Sequence, residues 1–391
     1  MIDFQKAISL NWFMLKIIGL WPPDNRDSRQ IVKLKLRRLC SFITLLFVIT
    51  IPSLMSLIKV WGDMILMIDN MQYSLPLTIA VLKVCIIWYK QEVLAPLIDM
   101  IEKDWMKVKI KEEQKVMLRH ARISRAIAMC ALSMIFFGLI FIFGLPWLKI
   151  TKRYFTNLTD SGKRLPISTY YLYDVTKSPQ FELTLLAQTF ATFIAAISST
   201  AIDNLFGLLV FHVCGQLENL HLRFSHMKKY SNYDDILKYN VRDHIRLIRS
   251  IEVIDDCFNL MLLNLVLYFC IIFCLQGFLI VNVIKQKGQL SVMQLSWFII
   301  ACVFVLLHMC LYCAVGELLM TQSEKIHHAT YEYGWYTIEP KAAKNLILIM
   351  LRANKPLYIT AGKTFPMTMA TFCSLLKTSA GYISVLLANQ D

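Results

Sequence analysis

Charge is what this chain of 391 residues has least of: Asp, Glu, Lys and Arg together make up only 17% of it. It also lacks the usual devices of catalysis. There is no Gly-rich phosphate loop, no pair of Cys-x-x-Cys motifs, no His-Glu-x-x-His and no nucleophile elbow. An enzyme is therefore a poor third among the function classes, and no cofactor is called for. Carboxylates are scarcer than cations, 27 against 41, giving a net charge of +14. The cations lie between apolar spans and form no single patch, so nothing points to nucleic acid. Hydrophobic residues make up 57% of the chain and the mean hydropathy is +0.52. That excludes a soluble globular protein of this length. The first twenty residues mix Asp3, Lys6 and Lys16 with Phe4, Ile8, Trp12 and Leu15, which suits an interfacial helix better than a cleaved leader.

Six apolar stretches follow, at residues 39–58, 71–89, 126–147, 183–212, 258–284 and 295–319. Each is long enough to cross the bilayer as a helix. Pro52 predicts a kink in the first. Lys83 in the second must face the interior or snorkel. The fourth is over-long and predicts a helix continuing through Gln216, Leu220 and Phe224. Residues 101–125 are charged and helical in pattern, with Lys107, Lys111 and Lys115 four apart. Tyr230 to Asp256 is polar and basic. Asp203 and Glu317 are carboxylates at the membrane edge, expected to fix helix packing. The pair His327-His328 is expected in solvent or at an interface.

The last 65 residues supply a seventh span. A polar, aromatic run from His328 to Tyr336 leads to an expected helix, Lys341 to Ile359, a turn at Thr360 to Lys363, and a closing apolar stretch, Met367 to Leu387. On that stretch Thr371, Ser374, Thr378, Gly381, Val385 and Asn389 recur at three- and four-residue steps and share one face. A small, hydroxyl-bearing stripe wants protein or water rather than lipid. It either packs inside a bundle or lines an aqueous pore with Val385 as the apolar constriction.

With seven spans, 30 of the 41 Lys and Arg fall on the side of the N-terminus and 9 on the other. The positive-inside rule then puts the N-terminus in the cytoplasm and the C-terminus outside. Asn157, in an Asn-Leu-Thr acceptor triplet, faces outward. None of the eleven cysteines falls in an outer loop, so no extracellular disulfide is expected. Cys270 and Cys274 stand one turn apart without a neighbouring His or carboxylate, which argues against a metal site. A receptor of the G-protein-coupled or transporter-like kind, without its own pore, predicts an external N-terminus or paired hydropathy repeats. The sequence shows neither.

Several fixed residues at fixed spacing carry a resemblance: Tyr331 to Tyr336, Leu351-Arg352-Ala353-Asn354-Lys355-Pro356-Leu357, Ala361-Gly362-Lys363, Thr371-Phe372 and Leu376 to Tyr382. Together they resemble the C-terminal signature of insect odorant receptors. Leu20-Trp21-Pro22 and Asp203-Asn204-Leu205-Phe206 with His212 and Gln216 are similar to other parts of the family. Ala388-Asn389 stands where the related gustatory receptors usually keep Gln-Phe.

The resemblance implies an all-α membrane protein of seven transmembrane helices whose cytoplasmic extensions form an anchor. Its first part, 1–319, would be the N-terminal arm and ligand-binding bundle, and 320–391 the anchor helix and pore helix. It implies an odour-gated cation channel, a tetramer assembled around the seventh helices, in the plasma membrane of an olfactory neuron dendrite. Anchor contacts would fall on Tyr331, Trp335, Tyr336, Lys341, Lys344 and Arg352, and the gate on Val385 from its spacing to Tyr382. The segment Tyr230 to Asp256 is short beside the insertion of the shared co-receptor. The chain therefore reads as a ligand-tuning subunit that pairs with that co-receptor. In this family, volatile molecules bind between the outer halves of the second, third, fourth and sixth spans. Here that region holds Tyr73, Leu77, Phe143, Trp147, Gln188, Phe190, Ile194, Ile197 and Trp297.

Overall fold

In lipid a backbone N–H has no partner outside its own helix, so an apolar chain of this kind folds as helices. The computed structural model describes residues 2–22, 28–144, 165–227, 233–285, 292–337 and 339–388. In chain order they form α1 (Ile2–Ile17), α2 (Ser28–Lys59), α3 (Met64–Met106), α4 (Lys111–Gly144), α5 (Gln180–His226), α6 (Tyr233–Lys285), α7 (Val292–Glu332), α8 (Pro340–Ala353), a two-residue hairpin β1 (Thr360–Ala361) and β2 (Phe365–Pro366), and α9 (Met369–Ala388). Six of these helices, α2 to α7, are long and apolar enough to cross a membrane. The seventh, α9, has 20 residues and rises about 30 Å, one crossing.

The helices outrun the apolar stretches that betray them. A hydropathy reading stops where polar residues begin, but the helix does not, because its amphipathic continuation still buries one face. The polar segment Tyr230 to Asp256 is thus mostly the first part of α6. Two expectations change. Residues 101–125 are not one helix: the chain breaks at 107–110, where Ile110 is extended. There Lys107 donates to Asp104 Oδ1 at 2.8 Å and Lys109 folds back on the Asp104 carbonyl. The helix expected from Lys341 to Ile359 ends at Ala353, as Pro356 cannot continue it and restricts the residue before.

The bundle is organised around α5, which packs on α1, α2, α3, α4, α6 and α7. It is apolar on every side and buries residues from Thr184 to Phe224, including Gln216 and Leu220. In α2 the turns Thr44–Thr50 are π-helical just before Pro52. Pro52 has no N–H to give to Val48, four residues back. The Val48 carbonyl instead accepts the Tyr171 hydroxyl at 3.0 Å, and Tyr170 N–H donates to Pro52 O at 2.9 Å. The π-helical stretch of α2 and the turn after it thereby receive Tyr170 and Tyr171 of the segment before α5. At the other end of the bundle, Gly19 adopts φ +74°, and a Cβ there would strike the backbone of Leu34 and Arg38. Arg38 donates to Gly19 O at 3.0 Å, which docks α1 against α2.

Candidate functional site

The nine expected ligand residues separate into groups. Leu77 on α3, Phe143 at the end of α4 and Ile197 on α5 are buried in one apolar core, with Tyr73 half-buried against it. Ile194 is buried but lies outside that core. Trp147 and Asn157 lie outside the described residues, as does the side chain of Trp297. Phe190 is not brought to the others. It is 59% exposed, two residues and about 200° around the helix from buried Gln188, on the side of α5 that looks away from the bundle.

Gln188 has a partner the sequence did not suggest. It is fully buried, and its amide donates to Thr169 Oγ1 at 2.7 Å and to Ile167 O at 3.4 Å. It fastens the segment Leu165 to Tyr171 onto α5, while the same segment holds α2 through Tyr170 and Tyr171. Burial raises the Tyr171 phenol above its ordinary range, so it stays a donor to Val48 O. Replacing Tyr171 with Phe leaves that carbonyl unpaired, at a cost of about 1–3 kcal/mol. The expected outcome is a lower melting temperature of purified protein with an unchanged ligand ranking. An unchanged melting curve would show that the hydroxyl holds nothing.

Deeper in the bundle, Lys83 is 2% exposed. Its ammonium lies 2.5 Å from Asp203 Oδ1 and donates to Ser199 Oγ at 3.1 Å. His308 on α7 approaches the other oxygen of Asp203 at 3.4 Å. One carboxylate on α5 thus ties α3 and α7 together. Lys83 faces the interior rather than snorkelling, and Asp203 fixes packing as its position suggested.

A second ionic group lies further along α3 and α5. Asp104 Oδ1 and Oδ2 lie 2.7 and 2.8 Å from Arg246 Nη1, and Oδ2 is 3.2 Å from His212. Asp243 accepts from Arg246 and from Arg223, which also meets Glu113 at 3.1 Å. Glu218 pairs with Arg119 and His120. These links join α3, α4, α5 and α6. Among the described residues no group of three or more His, Cys, Asp and Glu could hold a metal. Cys274 instead points its thiol at Ser379 O of α9, 3.7 Å away.

The approach to α9 is clasped to α6. Asp255 accepts the Thr360 N–H at 2.6 Å, the Thr360 hydroxyl at 2.8 Å and the Lys363 ammonium at 2.6 Å. Asp256 takes Lys363 as well, and Gly362 N–H donates to Asn259 O at 2.9 Å. Partial burial works against the charge on Lys363, but hydrogen bonds to Asp255 and Asp256 prevail and raise it above the ordinary lysine range. Gly362, at φ +61°, lies so close to Leu263 that a Cβ would not fit without a shift. Glu317 of α7 accepts the first N–H of α9, Met369, at 3.2 Å, and Thr368 Oγ1 accepts that of Thr371 at 3.3 Å.

From this clasp α9 runs along α6 and α7. Phe372, Leu375 and Leu376 pack on the core, Ser379 is buried, and Ile383 presses on Gly277. The expected polar stripe lies elsewhere on the helix. Ser374, Thr378, Gly381 and Val385 are exposed and Thr371 is half-exposed, while Asn389 is outside the described residues. Of the expected anchor residues, Tyr331 and Tyr336 are 60% and 76% exposed, Lys344 and Arg352 are exposed, and Trp335 is half-buried. The Lys341 side chain is not among those described. His327 is no free surface residue: its Nδ1 lies 3.1 Å from Met350 O, linking α7 to α8.

A sequence model of the 7tm odorant receptor family matches residues 63–380. The chain belongs to the insect odorant receptor family. Among members of the odorant receptor family, Odorant receptor 10 of Aedes albopictus is 29% identical over 223 residues, 54% of this chain and 56% of that one. Odorant receptor 13a of Drosophila melanogaster is 25% identical over 244 residues, 58% and 57% of the two chains. These matches span a little over half the length of the curated relatives. In structure, the olfactory receptor OR5 of Machilis hrabei, in complex with eugenol, superposes with a TM-score of 0.84 over 99% of both chains, at 17% identity. The odorant-receptor fold is thus shared from end to end, and the seven-helix reading with it.

Proposed function

We propose that the chain is the ligand-tuning subunit of an odour-gated cation channel, lining part of the pore with α9. The observation that carries this is the exposed stripe of Ser374, Thr378, Gly381 and Val385. Alternation of apolar and polar faces puts the apolar side of α9 on its own protomer. The small, hydroxyl-bearing side is left outward, where lipid is a poor solvent for it. A subunit junction with water resolves that conflict, with Val385 as the constriction. The charge distribution supports a cytoplasmic N-terminus and an external C-terminus. The shared co-receptor supplies the remaining subunits in the plasma membrane of the sensory dendrite, through an anchor that includes the exposed Tyr331, Tyr336, Lys344 and Arg352.

The test is aqueous access. With the exposed native Cys373 replaced by Ser, cysteines at Ser374, Thr378 and Gly381 should react with water-soluble thiol reagents in the activated complex, and reaction should block current. Cysteines at Phe372 and Leu376 should not react. Equal silence along both faces would remove the pore reading.

The ligand is a small volatile molecule held in the apolar core of Tyr73, Leu77, Phe143 and Ile197. The complex of OR5 with eugenol supports a small organic ligand. Such a pocket discriminates by shape, and one methylene is worth about tenfold or more. Ile197→Val should therefore reorder an odour panel with assembly intact, and Phe190→Ala should not. The reverse pattern in dose–response curves would place the pocket elsewhere.

A further inference from the structure

Between Ser28 and Gly62 the chain has no Asp or Glu. The opening turns of α2 nonetheless carry Arg29, Lys33, Lys35, Arg37 and Arg38. Of these Arg38 alone is buried, donating to Gly19 O. An apolar stripe runs through the same turns. Val32, Leu36, Leu39, Ile43 and Phe47 fall within about 80° of one another around the helix, and each is between 44% and 62% exposed. Lys33 and Arg37 flank that stripe on one side and Lys35 on the other.

Aromatic side chains mark where the stripe leaves the hydrocarbon. The Arg38 guanidinium lies 5.4 Å from the Trp88 ring of α3, and Phe42 meets the same ring edge-on at 5.9 Å. Tyr89, beside it, is 84% exposed. Exposed Trp and Tyr gather at the membrane–water interface. Along α2, Arg37 to Lys33 then lie about 2–8 Å beyond that level, the depth of the lipid headgroups. The stripe therefore continues, with Leu36 and Val32, out of the acyl chains and into the headgroup layer. α1 completes the corner. Arg37 Nη1 donates to Lys16 O at 2.8 Å, the Lys16 ammonium sits 4.0 Å from the Trp12 ring, and Phe13 is 57% exposed. Among the described residues, none of Lys16, Lys33, Lys35 and Arg37 makes an ion pair.

We propose that the corner of α1 and α2 is a site for an acidic phospholipid of the inner leaflet. Its acyl chains lie along Leu36, Leu39, Ile43 and Phe47, and its phosphate meets Lys33, Arg37 and Lys16. Charge selects the lipid. Cations without a paired carboxylate favour an anionic headgroup over a zwitterionic one, by about fivefold for each cation. A protein partner fits less well, because the apolar stripe is continuous with the span and ends among the headgroups. α2 packs on α3 and α5, whereas α9 packs mainly on α6 and α7, so the site stands apart from the subunit junction proposed for α9. The choice of leaflet rests on the proposed cytoplasmic N-terminus.

The test uses the full-length chain in nanodiscs of mixed phosphatidylcholine and phosphatidylserine, with retained lipid counted by native mass spectrometry. Phosphatidylserine should be retained in preference to phosphatidylcholine. Lys33→Gln with Arg37→Gln should lower its apparent affinity, read by varying the phosphatidylserine fraction, about thirtyfold. Lys33→Arg with Arg37→Lys should keep it. Lys111→Gln with Lys115→Gln, which removes the same charge from the start of α4, should change nothing. No preference in the unaltered protein would overturn the site. Equal loss in both Gln pairs would overturn it too, since net charge alone would then attract the lipid. Soluble glycerophosphoserine should not compete, and full competition would replace the lipid with a free phosphate ester. An epitope tag at the N-terminus, probed on intact cells, tests the leaflet separately. A tag reached from outside would remove the inner leaflet and the proposed orientation together, with the lipid preference in nanodiscs left standing.

Discussion

Replacing Lys83 with Met should empty the cell surface of this receptor. The change leaves the Asp203 carboxylate inside the bundle with His308, at 3.4 Å, as its remaining ion-pair partner among the described residues. Breaking a buried pair by removing one partner costs about 3–5 kcal/mol, against about 5–15 kcal/mol for the whole stability of a typical domain. Surface labelling should fall several-fold, and the melting temperature of the purified protein should drop. The double variant Lys83→Met with Asp203→Leu should recover most of both, because an apolar pair of similar volume replaces a buried ion pair at little net cost. If Lys83→Met reached the surface and melted like the parent, the pair would be a bystander. If the double variant were no better than the single, the loss would come from Lys83 packing rather than from the stranded charge.

The second large effect should come from Asp255, and it should appear in gating rather than in folding. This carboxylate accepts from Thr360 twice and from Lys363 once, all within 2.8 Å. Hydrogen bonds to a charged group contribute about 1.5–3 kcal/mol each, discounted here for the half-exposed Lys363. They hold the two-residue hairpin that delivers the chain into α9. On the proposed channel reading, a movement of α9 driven from the ligand core passes through α6, α7 or this clasp, since α9 packs mainly on those two helices. A shift of about 1.4 kcal/mol in a two-state equilibrium is tenfold. Asp255→Ala should therefore cut maximal odour-evoked current about tenfold with surface expression retained. Lys363→Met should do less, because both Thr360 donors remain. Normal maximal current in Asp255→Ala would show that the hairpin is a passive connector.

Much of this was readable from the chain. The seven apolar stretches, the long continuation of α5 past His212, and the stripe on α9 follow from hydropathy and helical spacing alone. Those are local quantities, set by residues a few positions apart. What was not legible has a common cause. Phe190 looked like its neighbours because an apolar side chain suits lipid and a protein core equally, and only burial separates the two. Gln188 is expected at the ligand, and what the sequence does not show is that its Nε2 donates to Thr169 on the loop while its Oε1 is buried without a hydrogen-bond partner. Residues 101–125 looked like one helix because nothing in the spacing of Lys107, Lys111 and Lys115 reveals that Lys107 and Lys109 turn back on Asp104.

Amino-acid order by itself determined that this is a membrane protein of helices, where those helices lie in the chain, and to which family the closing segment belongs. Apolar length and a short fixed motif are enough for that. Tertiary structure alone decided who partners whom: Lys83 with Asp203, Asp104 with Arg246, Asp255 with Thr360 and Lys363. Each of these pairs is more than 100 residues apart. Charges buried in or beside a bilayer are tolerated only where an opposite group meets them. Which group does so is fixed by how the helices cross, and periodicity along one helix carries no record of that.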